Sequence, residues 1–194
     1  MEEIIQLKIS LIGSKPVIWR RVLVNGKMTF QELHCVIQLS MGWTNSHLHE
    51  FVVNRTRISE PFEDIEDEFN EDLVDSSTVT LENEIAKGIN SFIYIYDFGD
   101  YWEHKVTVEK FLPVNEKIKY PTCVAGKKKC PPDDCGGIYG FSNLLKTISN
   151  KNDPEHEDML EWLGGEYDPD YFDLSEINHD LSGLNEFMRE SQEP

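Results

Sequence analysis

Apolar and polar residues alternate near the start of the chain. Ile5, Leu7, Ile9 and Leu11 are separated by Gln6, Lys8 and Ser10, the two-residue period of a strand with one buried face. Gly13-Ser14-Lys15-Pro16 has a turn composition. The run from Val17 to Val24 then sets Val17, Trp19 and Leu23 on one face, so the pair reads as a hairpin. Thr29-Phe30-Gln31-Glu32 has the spacing of a capping box, in which a Thr hydroxyl and a Glu carboxylate each serve a free backbone N–H at a helix start. Phe30, Leu33, Ile37 and Met41 form one helical stripe, and Gly42 can supply a left-handed stop.

Period two returns from His47 to Val53, a third strand with His47, His49, Phe51 and Val53 on one face. The acidic stretch from Glu60 to Asp75 has little periodicity and reads as an exposed, mobile excursion. Val79 to Leu81 reads as a short strand. Phe92 to Tyr96 and Trp102 to Phe111 flank the turn Asp97-Phe98-Gly99-Asp100 and read as a second hairpin. Pro113 to Gly137 is rich in Pro and Gly and reads as loop. From about residue 139 helical spacing dominates: Phe141 to Ile148, a start at Asp153-Pro154, and a last stripe of Ile177, Leu181, Leu184 and Met188. This order predicts an α+β fold, one domain over residues 1–194. Its largely antiparallel sheet is built of hairpins packed by helices, with a β-grasp-like core and a helical C-terminal part.

Hydrophobic residues make up 39% of the 194, enough to build a core. Charge changes the picture more: the net charge is -18, there is no Lys or Arg from Ile58 to Ala86, and Arg189 is the one basic residue beyond Asn152. Such a surface repels phosphate backbones, and the run Lys117, Lys119, Lys127, Lys128, Lys129 reads as a solvated loop, so nucleic acid is disfavoured. Protein or small-molecule partners are expected instead. No window approaches the ~20 apolar residues of a membrane span, and Met1-Glu2-Glu3 lacks the basic start of a secretory signal. The expectation is a cytoplasmic protein with no membrane contact, in which cysteines are free thiols or metal ligands.

Two constellations carry candidate chemistry. Cys123, Cys130 and Cys135 could supply three thiolates to a structural Zn²⁺. Their spacings of six and four intervening residues are not the paired two-residue knuckles of a strong zinc signal, and a fourth ligand would have to come from His104, His156 or Cys35. Packed, reduced thiols are the alternative. The second constellation is His47, His49, Asp97, Asp100 and His104, with Asp133 and Asp134 as further members. Imidazoles and carboxylates gathered there could bind a divalent metal and activate water, or line a small-molecule pocket. Equally, Asp97 and Asp100 suit turns by bonding nearby backbone N–H groups, and His47 and His49 suit a strand start. Trp19, Trp43, Tyr94, Tyr96, Trp102 and Trp162 are expected mainly in the core.

Several segments together resemble the plasmid pRiA open-reading-frame-three-like proteins. They are Pro16-Val17-Ile18-Trp19-Arg20-Arg21, Leu33-His34, Met41-Gly42-Trp43, His47-Leu48-His49-Glu50-Phe51, Tyr94 to His104, Tyr120-Pro121-Thr122-Cys123, Cys130 to Gly137, Trp162 and Asp168-Pro169. One departure is Asp133, where the family pattern has Glu. The resemblance implies a stand-alone prokaryotic α+β domain without an established activity. Some relatives carry labels that suggest resolvases or repressors, which the acidic charge and the lack of a helix-turn-helix oppose. There is no Gly-rich phosphate loop and no Ser nucleophile elbow. The leading expectation is therefore a non-enzymatic interaction or ligand-binding module. A metal-dependent hydrolase built on the His/Asp cluster comes second and a DNA-associated protein third.

Overall fold

The computed structural model describes residues 3–61 and 72–191. Its first strands, β1 (Glu3–Leu11) and β2 (Trp19–Asn25), pair antiparallel, and α1 (Phe30–Met41) follows. Next come β3 (His49–Val53), β4 (Thr56–Ser59), β5 (Leu73–Asp75), α2 (Leu81–Ala86), β6 (Ser91–Tyr96), β7 (Trp102–Pro113) and β8 (Thr122–Lys127). Four helices close the described chain: α3 (Gly137–Ser149), α4 (His156–Trp162), α5 (Leu174–Ser182) and α6 (Leu184–Glu190). The fold is α+β. One eight-stranded sheet runs in the order β5-β4-β3-β6-β7-β1-β2-β8, antiparallel throughout except for the parallel edge pair β4·β5. The opening β1–β2–α1–β3, the order behind the β-grasp-like expectation, carries the chain past β1, β7 and β6.

One face of the sheet is buried. Ile5, Leu7, Ile9 and Leu11 of β1 point inward with Val22 and Val24 of β2, Val106 of β7, Tyr94 of β6 and Phe51 of β3, and α1 covers them with Phe30, Leu33, Val36, Ile37 and Met41. The other face mixes polar side chains with the buried Ile4, Leu23 and Ile95. There Arg21 forms a two-bond contact with Glu109, which also accepts from Gln6. The start and stop of α1 are the expected ones. Thr29 and Glu32 make both bonds of the capping box, and Gly42 sits at φ 88° with its N–H on the Gln38 carbonyl.

Several expectations need correction. In β2 the inward positions are Arg20, Val22 and Val24, whereas Val17 and Trp19 face outward. The hairpin register to β1 sets that parity and puts a guanidinium inside. His47 precedes β3 and is half-buried. β4 follows a tight turn at Asn54-Arg55, both at positive φ, the geometry of a two-residue hairpin. The end of the expected acidic excursion is strand β5, held parallel to β4, while residues 62–71 lie outside the described residues. At Val79 to Leu81 there is one bridge, Thr29 to Thr80, before α2 begins. The Pro- and Gly-rich stretch contains β8, which exists because β2 offers it an edge to pair with. The last amphipathic stripe is split at Gly183 into α5 and α6, which bury Leu181 and Leu184.

The loop before α3 is seated tightly. A Cβ at Gly140 would collide with the Cys135 carbonyl, and one at Gly137, which also has φ 64°, would collide with the Asp100 carbonyl. Gly140→Ala should therefore lower stability by about 1–3 kcal/mol, the usual cost of overpacking, measured by urea denaturation. Unchanged stability would mean that the loop carrying Asp133 and Asp134 is not held against α3.

Candidate functional site

The site rests on a buried polar ring below α1. The Asn45 N–H donates to Gln38 Oε1 (3.0 Å), and Gln38 Nε2 donates to the Tyr94 hydroxyl (2.9 Å). Tyr94 meets His34 Nδ1 at 2.8 Å, and His34 Nε2 meets Asn45 Oδ1 at 2.7 Å. The directions close into one circuit when His34 carries its proton on Nε2 and accepts from Tyr94 on Nδ1. Burial pushes the His34 imidazole down to about 4, partly offset by the bond to Asn45, so the neutral ring is the stable form. Asn45 takes φ 59°, a left-handed conformation that Asn tolerates.

The circuit fixes the segment that delivers His47. Its neighbour Ser46 donates from its N–H to the Tyr96 hydroxyl (3.1 Å), and the His47 ring stands edge-on to Tyr96. From the turn after β6, Asp97 reaches the same point. Its backbone N–H donates to Leu48 O and its Oδ1 accepts from Gly99 N–H, leaving Oδ2 3.8 Å from His47 Nε2. Asp134, in the loop before α3, brings Oδ1 to 3.3 Å from the same nitrogen. One ligand atom from each of His47, Asp97 and Asp134 lies within 4.8 Å of the others. Asp97 and Asp134 both sit at φ 58°.

Asp133 adds a carboxyl beside this group. Burial raises its affinity for a proton, His47 opposes that, and Asp134, Asp97 and Asp100 reinforce it. Asp133 Oδ1 is shielded from solvent without a hydrogen-bond partner, and His47 Nε2 is equally shielded, its approaches to Asp134 and Asp97 not being hydrogen bonds. Asp100 is the positioning member: its Oδ2 accepts from Gly136 N–H at 3.0 Å and ties the turn to the loop.

The remaining candidates lie elsewhere. His49 is buried, stacked on His34 with ring centroids 3.4 Å apart. His104 is 0% exposed and donates from Nδ1 to the Trp102 carbonyl. Among the described residues, the three cysteines do not form a group with converging ligand atoms. Burial is the leading influence on all three thiols, raising Cys123 and pushing Cys130 and Cys135 up to about 12. The Cys123 thiol donates to the Ala125 carbonyl. Two contributors went unread in the sequence. Asn45 carried a signal, an Asn three residues beyond a helix-ending Gly; Arg20 carried one in its parity with Ile18 and Val22.

Comparison with known proteins agrees over most of the chain. The family described as plasmid pRiA4b ORF-3-like protein matches residues 3–176. An uncharacterised protein of Sinorhizobium fredii, y4hQ, is 32% identical over 183 residues, which is 93% of this chain and 92% of that protein. The crystal structure of MM3350, a protein of unknown function from Methanosarcina mazei Go1, superposes with a TM-score of 0.82 at 37% identity, covering 90% of this chain and 97% of that one. These relatives carry no named reaction or ligand.

The buried histidines make stability depend on pH. Desolvation pushes His34 and His104 down to about 4 and His49 well below its ordinary value, with His34 adding to the effect on His49. The unfolded chain therefore binds more protons than the folded one between about pH 6.5 and pH 4, so their stabilising contribution is complete above that window and is lost as pH falls through it. Each histidine contributes a slope of about 1.4 kcal/mol per pH unit at most. Urea midpoints should fall between pH 6.5 and pH 5, above the ordinary carboxylate range. A flat midpoint over that interval would contradict the burial of neutral imidazoles.

Proposed function

We propose, on the premise that this chain belongs to the plasmid pRiA4b ORF-3-like family, that it is a ligand-binding module that holds a divalent cation on His47, Asp97 and Asp134. What carries the reading is the convergence of these three groups from three separate chain segments. The shielded Asp133 Oδ1, which has no hydrogen-bond partner, and the shielded His47 Nε2, which faces two carboxylates without a hydrogen bond, support it. One imidazole with carboxylates suits a first-row transition ion or Zn²⁺ better than Ca²⁺, which prefers all-oxygen shells. A cation would also relieve repulsion among Asp97, Asp100, Asp133 and Asp134. The proposal asks for binding and no reaction. The four free cysteines fit a reducing, cytoplasmic setting, and among the described residues no helix is long and apolar enough to cross a membrane.

The test is calorimetric titration of untagged protein with Mn²⁺ and Zn²⁺. Saturable binding is expected, with His47→Ala and Asp134→Asn each weakening it about tenfold or more, since changes even outside the ligand set cost about 10–100-fold. Cys123→Ser should leave affinity unchanged. If neither ion binds, or if His47→Ala binds like the parent, the reading fails.

A further inference from the structure

A second place in the fold holds a buried cationic side chain at the wall of a cavity. Arg20 projects from β2 into the interior and is only 3% exposed. Its Nε donates to Ser40 O (2.8 Å), and one Nη1 donates to both Trp19 O (2.9 Å) and Lys127 O (3.2 Å). These bonds lock the guanidinium plane and leave the second terminal nitrogen, Nη2, with no acceptor among the described residues. None of the three acceptors is a carboxylate, and among the described residues Arg20 has no ion pair. Cys130, Cys123 and Tyr167, whose charges would act on Arg20, are each held in the neutral form by burial. A buried cation without a counter-charge is costly.

Arg20 also lines a cavity of about 320 Å³ between the end of α1, the Cys130–Asp133 loop and α5. This is the lower end of the size range for small-molecule sites. Lys129 lines the same cavity, its Nζ 4.8 Å from the Tyr167 ring centroid and, like Arg20, without an ion pair among the described residues. Apolar walls come from Trp43, Tyr167 and Phe172, and the Phe172 ring lies 5.1 Å from the Arg20 guanidinium. The Trp43 indole N–H is already spent on Pro131 O, so Trp43 offers the cavity ring surface rather than a donor. Asp173, Glu176 and Asp180 stand on the α5 side of the cavity. Asp173 is occupied as the α5 cap, accepting from Ser175 and Glu176 N–H.

We propose that this cavity binds a small organic anion whose single carboxylate or phosphate group meets Arg20 and Lys129 while an apolar, planar body lies against the aromatic walls. The donor left over on Arg20 supplies a charge-assisted bond, about twice as strong as one between neutral groups. The acidic side chains of α5 restrict the ligand to low charge and keep polyanions such as nucleic acid out. The site is separate from the cation cluster, although Asp133 lines the cavity and faces that cluster. Either site can therefore fail without the other.

Benzoate and phenyl phosphate share a planar body and differ in the oxyanion, and benzylamine has the body with the opposite charge. Each is titrated into the full chain while the Arg20 Nε–H and Trp43 indole resonances are followed by NMR. Saturable shifts of both resonances with benzoate or phenyl phosphate, and none with benzylamine, are expected. Whichever oxyanion binds more tightly assigns the ligand class. Lys129→Ala, at the partly exposed edge of the cavity, should weaken binding about threefold to tenfold without unfolding the protein. The proposal is overturned if neither anion saturates by about 10 mM, if benzylamine shifts the same resonances, if anions bind without moving the Arg20 signal, or if Lys129→Ala binds as tightly as the parent.

Discussion

The circuit Asn45–Gln38–Tyr94–His34 is the interaction on which the rest of the candidate site depends. The Tyr94 hydroxyl and the His34 ring each have both donor and acceptor satisfied in it, the condition under which an interior polar network specifies one structure rather than weakening it. It joins α1 to β6 and to the chain that leaves α1, so one set of bonds fixes both the helix and the segment that delivers His47. Gln38 serves twice, since its backbone carbonyl also accepts from Gly42 and Trp43 N–H. Through Trp43 the same helix end shapes one wall of the Arg20 cavity. Protonating His34 would set an N–H against the hydroxyl that must donate to it, so the circuit and the neutral imidazole support each other.

Around that anchor the site is assembled from turns. Asn45, Asp97 and Asp134 adopt left-handed backbone conformations that Asn and Asp tolerate better than other side chains with a Cβ. The Asp100 to Gly136 bond and the close approach of Gly137 to the Asp100 carbonyl then lock two of those turns together. Rigid elements thus position loop side chains, the common arrangement for binding sites.

Much of this was legible in the sequence. The alternation of β1, the Thr29–Glu32 cap and the Gly42 stop are local signals, and the structure forms them as read. His47, Asp97 and Asp134 are candidates in the sequence because imidazoles and carboxylates gathered from a strand, a turn and a loop suit a divalent metal. What alternation could not give was depth. His49 and His104 sit at inward positions of central strands and so lie within the core, whereas His47, just before β3, stays at the edge. The strand β8 and the inward turn of Arg20 follow from pairing with β1 and β2, which no local window records. The family resemblance named the segments without saying that Arg20, Trp43, Cys130 and Asp133 line one cavity.

The most direct measurement is the ¹⁵N chemical shifts of the His34 imidazole between pH 8 and pH 4. The account predicts the neutral tautomer protonated on Nε2, with Nδ1 as acceptor, persisting without titration until the pH approaches about 4. A proton on Nδ1 at neutral pH, or titration near the ordinary value of about 6.5, would contradict the closed circuit and with it the placement of His47.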